Sequence, residues 1–271
     1  MISVIIPTYK PNDFCFQCLN SLNSQSLSKT LFEVLVVLNG ECEPYFSLVN
    51  KYKSSFPSMN MKIIYTNITG VSNARNLGIV NSTFNFIVFI DDDDIISSNM
   101  LQSFYTKAIN NGIVAAKFQS FKEDLLNLTD DYVTRSYNRC RKFNKFNIIR
   151  FRGFLSSACG KLIPRSMIGD KRFNTGLSKG EDSLFMFSIS GSIKNIILAE
   201  SDVIYFRRLR PGSATRNAKN KKHILSNAIS LYKNYNLTYM KSPFYYNFFF
   251  FLTRLAAITK LTLKRLNHSQ Q

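Results

Sequence analysis

The sequence predicts an α/β fold with a mostly parallel sheet flanked by helices, and three observations point there. Strand-like and helix-like patterns alternate over roughly the first 118 residues, the signature of βαβ units. Several strand segments, such as Phe86-Ile87-Val88-Phe89-Ile90, are near-continuous apolar runs, as expected when both faces of a strand are covered. That same run ends in four consecutive aspartates, Asp91 to Asp94, and the C-terminal tips of parallel strands are where such sheets bind ligands.

Taken in order, strands are expected at Ile2–Ile6, Phe32–Val37, Lys62–Tyr65, Phe86–Ile90 and Ile113–Phe118. Helices are expected between them, around Asp13–Leu22, Tyr45–Tyr52, Ser72–Val80 and Met100–Asn110. Residues 120–150 are polar and basic and read as an irregular or helical insertion. A second α/β stretch runs from about Phe154 to Phe206. From about Asn217 the chain becomes helical, basic and aromatic, and no internal repeat is evident. The expected organisation is one domain over 1–215, with halves at 1–118 and 150–215, followed by a tail over 216–271.

The bulk numbers narrow the function classes. The 271 residues are 45% hydrophobic, enough for one large domain with an extension. Net charge is +18, from 35 Lys+Arg against 17 Asp+Glu, which favours a polyanionic partner. No nucleic-acid-binding motif is present and the basic residues are spread out, so phosphates and an anionic membrane surface are favoured over nucleic acid. Five cysteines without a regular framework suggest a reducing compartment. Cys15 and Cys18 form a CxxC with no second pair, which fits helical spacing better than zinc. The N-terminus enters a strand directly, so no secretion signal is read there.

Four aspartates in a row repel one another, and hard oxygen ligands at a strand tip suit Mg²⁺ or Mn²⁺. Further strand-tip features precede them. Pro7-Thr8-Tyr9 follows the first strand and can present an aromatic face and backbone groups to a base. Asn39-Gly40 ends the second strand. Gly70 to Gly78 (GVSNARNLG) puts Arg75 on a helix near the first strand tips, suited to a diphosphate or base. For each the bland alternative is ordinary: turn chemistry, a surface ion pair, a solvated acidic turn.

These elements, in this order, resemble the nucleotide-sugar half of family 2 glycosyltransferases of the GT-A fold. The resemblance resumes at Cys159-Gly160-Lys161-Leu162 and at Gly180-Glu181-Asp182-Ser183-Leu184-Phe185, and continues more weakly from Tyr205 to Thr215. It implies an inverting enzyme that takes a nucleoside-diphosphate sugar and Mn²⁺ or Mg²⁺. It implies Asp93 facing the ribose or metal, Asp94 ligating the metal, Asp91 orienting its neighbours and Asp92 in a variable slot. It also implies Asp182 as catalytic base, with Glu181 as support or acceptor contact. Arg207, Arg208 and Arg210, with Ser213 and Thr215, form a loop whose relatives contact the diphosphate or close over it, the alternative being a solvated basic loop. His223 is read as structural, with a minor alternative as a late metal ligand.

The chain departs from the pattern twice. Leu38-Asn39 stands where the family usually has aspartate, so Asn39 is left to recognise the base through its amide. Cys159 stands where an aromatic residue often meets the acceptor. The segment PFYYNFFFFLTRLAAITKLTLKRL has at most twelve uncharged residues in a row, Ser242 to Thr253, too few to span a bilayer. It is expected to lie in the interface of an anionic membrane, the alternative being a helix packed on the core. The expected enzyme is thus peripheral on the cytoplasmic face of the plasma membrane, with a glycan or lipid-linked oligosaccharide acceptor. Rival readings are a metal-dependent nucleotidyltransferase, whose glycine-rich phosphate loop PTYKPND does not supply, a non-catalytic nucleotide-sugar-binding module, and a charge-driven nucleic-acid binder.

Overall fold

In a computed structural model, which describes residues 1–122, 125–143, 145–210 and 220–268, the alternating sequence pattern becomes alternating elements. They are β1 (Ile2–Thr8), α1 (Asp13–Asn23), β2 (Phe32–Asn39), α2 (Tyr45–Ser55), β3 (Met61–Thr66), α3 (Val71–Asn81) and β4 (Phe86–Phe89). Next come β5 (Ile95–Ile96), α4 (Met100–Thr106), β6 (Gly112–Ala115), β7 (Lys117–Phe121), β8 (Leu128–Thr129) and α5 (Tyr132–Cys140). The remainder holds β9 (Lys161–Pro164), α6 (Arg165–Ile168), α7 (Glu181–Ser188), β10 (Asn195–Leu198), β11 (Ile204–Arg208), α8 (Lys221–Lys241) and α9 (Phe248–His268).

Seven strands form the main sheet in the order β10-β6-β9-β4-β1-β2-β3. All neighbours run parallel except β9, which is antiparallel to β4 and β6. Every residue of β1 and β2 is buried, which explains their near-continuous apolar runs; the buried polar pair within them, Ser3 and Glu33, is hydrogen-bonded at 2.7 Å. Because β1, β2 and β4 run the same way, their C-terminal tips gather at one edge, and the loop after each arrives there.

Two expectations at the end of this half are corrected. The strand expected at Ile113–Phe118 is two strands. Ala116 breaks it, donating to Gly160 O, and Lys117 then donates to Val203 O in a second sheet of order β5-β11-β7-β8. A single apolar run cannot reveal such a switch of sheets. The helix expected at Met100–Asn110 ends at Thr106, closed by the Lys107 N–H on Ser103 O and Tyr105 O.

The insertion is ordered by helix α5. Asp131 caps it, accepting from Thr134 N at 2.8 Å, and Val133, Thr134, Ser136, Tyr137 and Cys140 are buried beneath it. The tail is an antiparallel helical hairpin docked on α7, not a free extension. Tyr235 bonds Ser183 at 2.7 Å, and Leu231 packs over Gly180. Phe187 meets the rings of Tyr235, Tyr246, Phe250 and Phe251. One face of α9 therefore packs on the core, the alternative weighed from the sequence. Phe248, Phe249, Leu252, Leu261 and Leu263 stay exposed. Among the described residues no helix is long and apolar enough to cross a membrane.

Candidate active site

The site is built where the loop after β4 meets the N-terminus of α7. Helix α3 starts at Gly70, whose φ of 127° suits glycine, and carries Arg75 into the gap. Helix α7 starts after Gly180 in the left-handed region, so Glu181 and Asp182 fall in a first turn that favours carboxylates. The ring of Phe173 stacks on Phe185 of α7 and lies under the Arg75 guanidinium, fixing both.

Arg75 is 3% exposed and is the hub of the cluster. It donates to Asp182 Oδ1 at 2.5 Å and to Asp91 Oδ1 at 2.7 Å, with Glu181 Oε1 3.9 Å away. The second oxygen of Asp182 accepts from Ala158 N at 3.2 Å. The Cys159 thiol donates to Asp91 Oδ1 at 3.4 Å. Arg75, expected as a diphosphate or base contact, is thus held here by carboxylates. A buried guanidinium with two partners is equally unlike a solvated surface pair.

The four aspartates have four different environments. Burial opposes ionisation of Asp91, but Arg75 more than offsets this and holds the carboxyl below its ordinary range. Asp92 accepts from Thr8 Oγ1 at 2.6 Å, and burial with its acidic neighbours pushes it up to about 6. Asp93 is also raised, by burial and then Asp91, while Arg210 Nε lies 2.5 Å from its Oδ2. Asp94 is 2% exposed, and both its oxygens are taken: Tyr205 donates to Oδ2 at 2.5 Å and Arg208 N to Oδ1 at 2.8 Å. Burial raises Asp94 well above the usual carboxylate range. Asp94, expected as a direct metal ligand, here faces inward and clamps β11 to the acidic turn.

The residues expected to recognise the base differ in exposure and partners. Asn39 is 3% exposed; its amide donates to Thr8 O at 2.7 Å and accepts from Gly70 N at 2.9 Å, so it ties strand tips together while one N–H and one lone pair stay uncommitted. Thr8 spends its hydroxyl on Asp92, and Pro7 lies inside β1 opposite Val37. Tyr9 alone of the three is open, 54% exposed, with its ring against Gly40. A Cβ on Gly40 would come within 2.8 Å of that ring. Arg207 is paired with Asp131 at the head of α5 and also feels the charge of Asp91 and Asp94, and Arg210 lies at the acidic turn. Ser213 and Thr215 lie outside the described residues. His223 accepts or donates at Ser178 Oγ, 3.1 Å away and just ahead of Glu181.

Sequence reasoning missed Tyr205, which also holds Asp91 N at 3.2 Å, and Phe173 and the Ala158 N–H. Each acts across a long stretch of chain, and no local signal marks it. Burial and then Asp182 push Glu181 up to about 7, so a carboxyl that titrates near neutrality stands beside one pinned by Arg75. Among the described residues no group of three or more His, Cys, Asp or Glu could hold a metal. The donor set fits Mg²⁺ or Mn²⁺ only as such ions are often held, by one or two carboxylates plus substrate phosphates and water. Asp93 and the partly open Asp91, whose side chain is 38% exposed, are the carboxylates available.

Residues 3–170 match the family model described as glycosyl transferase family 2. The glycosyltransferase GlyA of Streptococcus pneumoniae is 28% identical over 241 residues, covering 84% of this chain and 34% of that protein. The poly(ribitol-phosphate) β-N-acetylglucosaminyltransferase TarS of Staphylococcus aureus is 34% identical over 102 residues, covering 37% of this chain and 17% of that protein. The chain thus spans about a third or less of the length of these relatives. The crystal structure of S. aureus TarS 1–349 in complex with UDP-GlcNAc superposes with a TM-score of 0.66 at 22% identity, covering 85% of this chain and 66% of that one. A mannosyltransferase from Pyrobaculum calidifontis, in complex with GDP-Man and Mn²⁺, superposes with a TM-score of 0.57 at 16% identity, covering 87% of this chain and 63% of that one. The fold is GT-A.

Proposed function

We propose that this chain, which belongs to glycosyl transferase family 2, transfers a sugar from a nucleoside diphosphate, with UDP as the carrier, to a hydroxyl of a glycan or lipid-linked acceptor. The observation that carries this reading is the Arg75 bridge, which joins the acidic turn to the Glu181-Asp182 pair. Donor and acceptor chemistry must meet within one bond length, and this contact couples the two groups that would serve them.

In this reading the acceptor oxygen attacks the anomeric carbon as the bond from that carbon to the diphosphate oxygen breaks. The electron pair leaves with the nucleoside diphosphate. The acceptor's proton passes to Asp182, and a single displacement inverts the anomeric centre. Arg75 and Ala158 N orient that carboxylate, and such a base is worth ~10²–10⁴ in rate. Glu181 tunes the local charge. Asp93, with Asp91 beside it, would hold the Mn²⁺ or Mg²⁺, and Arg210 would reach the diphosphate. A metal there would neutralise charge on the departing diphosphate. Tyr9 would offer its ring to the base.

UDP is favoured because the TarS structure is a UDP-GlcNAc complex and TarS matches this chain at 34% identity over 102 residues. Nucleotide-sugar use favours a site of action on the cytoplasmic face. Exposed Phe244, Phe248 and Phe249 at the hairpin turn, with no acidic residue after Asp202, favour contact with an anionic membrane surface. Calorimetry with UDP, GDP, TDP and CDP, each with and without Mn²⁺, tests the reading. Metal-dependent preference for UDP is expected. Binding of none of the four would sink it.

A further inference from the structure

Away from the Arg75 cluster, the face of α5 holds a recess lined by Tyr132, Ser136, Arg139, Arg150, Arg152 and Gly153. From Tyr132 to Gly169 the chain carries nine lysines and arginines and no aspartate or glutamate. Among the described residues none of the three lining arginines forms an ion pair. Arg152 donates to Ile149 O, and Arg150 lies over the Phe143 ring. A fourth guanidinium, that of Arg254, lies within electrostatic reach of Tyr132 and Arg152 and is 5% exposed. It donates to Leu155 O at 3.1 Å, and its Nε has no partner. The hydroxyls of Ser136 and Tyr132 converge on Gly153, where a Cβ would come within 2.7 and 2.9 Å of them.

Guanidinium groups and hydroxyls gathered without a carboxylate suit a tetrahedral oxyanion. The recess also has a position relative to the chemistry. Gly153 precedes Ala158 by five residues, and the N–H of Ala158 holds Asp182. The short helical turn Phe154–Ser156 between them is where Arg254 is anchored. We propose that this recess binds a phosphate group of the acceptor, so that the acceptor is a phosphate-bearing glycan or polyol chain and not a neutral one. The inference rests on the transferase reading for the word acceptor, while the anion site stands on its own residues.

The test uses the full chain and four probes: a phosphodiester-linked glycerol phosphate hexamer, neutral maltohexaose, phosphatidylglycerol vesicles and duplex DNA. The wild type should bind the hexamer and not maltohexaose. Replacing Arg139→Gln, Arg150→Gln and Arg152→Gln together should weaken hexamer binding by about tenfold or more, with the melting temperature and UDP–Mn²⁺ binding unchanged. Gly153→Ala, which keeps every charge but fills the floor, should weaken it too. Unchanged hexamer binding in both variants would overturn the site. Loss of vesicle binding alone would make it a lipid headgroup site, and equal loss of binding to duplex DNA would make it a generic polyanion surface; either overturns the acceptor assignment. If the wild type binds no nucleoside diphosphate yet binds the hexamer through these arginines, the transferase reading fails and the anion site survives.

Discussion

Arg75 and Asp182 are 107 positions apart in the chain, and their side chains meet at 2.5 Å. Because the same guanidinium also holds Asp91, the two halves of the site share one positive charge. Arg75→Gln removes it and leaves carboxylates crowded without compensation. Breaking such a pair by deleting one partner costs about 3 kcal/mol. The expected outcome is a lower urea midpoint and a loss of transfer larger than the stability change explains. A variant with wild-type stability would show that the bridge does not hold the halves together.

Asp182→Asn keeps the shape and can accept from either Ala158 N or Arg75 but not both, and it removes the proton acceptor. Donor binding should persist while transfer falls by ~10²–10⁴. Isothermal titration with UDP and Mn²⁺, set beside a product assay, separates the two. Near-normal turnover would transfer the role of base to Glu181, whose carboxyl burial and Asp182 push to about 7.

Asp93 and Asp94 are adjacent and should behave differently. Asp94 has both oxygens bonded inside the protein, to Tyr205 and Arg208 N, whereas Asp93 faces Arg210 at the site. Asp93→Asn should abolish the Mn²⁺ dependence of UDP binding at nearly unchanged stability. Asp94→Asn should instead lower the melting temperature, and Tyr205→Phe should do the same, since each loses one end of a buried bond worth about 1–3 kcal/mol. The reverse pattern would restore Asp94 as the metal-facing residue.

Local patterns revealed what local forces build. The apolar runs of β1, β2 and β4, the acidic turn after β4 and the carboxylates opening α7 were all legible, because strand burial and strand-tip loops leave periodic traces. What Asn39 and Arg75 touch was not legible. Asn39 is an amide at a strand tip in sequence, and only the approach of Gly70 N and Thr8 O turns it into a tie. The break at Ala116 was hidden for the same reason: its partner, Gly160 O, is supplied by a distant segment. Which rings of the tail are buried was not legible either, because Phe248 and Phe249 look alike to Phe250 and Phe251 in sequence, yet the latter two are buried on Phe187.

That difference within the tail is testable. Phe244→Ser with Phe249→Ser changes fully or largely exposed rings, so stability should move by no more than about 0.5 kcal/mol. Co-sedimentation with phosphatidylglycerol vesicles should nevertheless fall. Phe250→Ala removes a ring that is 0% exposed and should cost about 3–5 kcal/mol. Unchanged sedimentation of the double variant would remove the hairpin turn as a membrane contact.

Lys161 is fully buried in β9, with its ammonium over Phe154 and Phe118 and a single hydrogen bond to Cys159 O at 3.2 Å. Burial lowers its pKa from 10.5 to about 7. The unfolded chain therefore binds a proton that the folded chain releases between those two values, so Lys161 makes stability rise with pH across that window. The slope is at most about 1.4 kcal/mol per pH unit. Lys161→Met keeps the volume and removes the titration. The variant should gain stability over the wild type at pH 7, and that gain should shrink as pH is raised to 9. Urea midpoints at the two pH values measure it, and a constant gap would mean that Lys161 stays charged between its two aromatic rings.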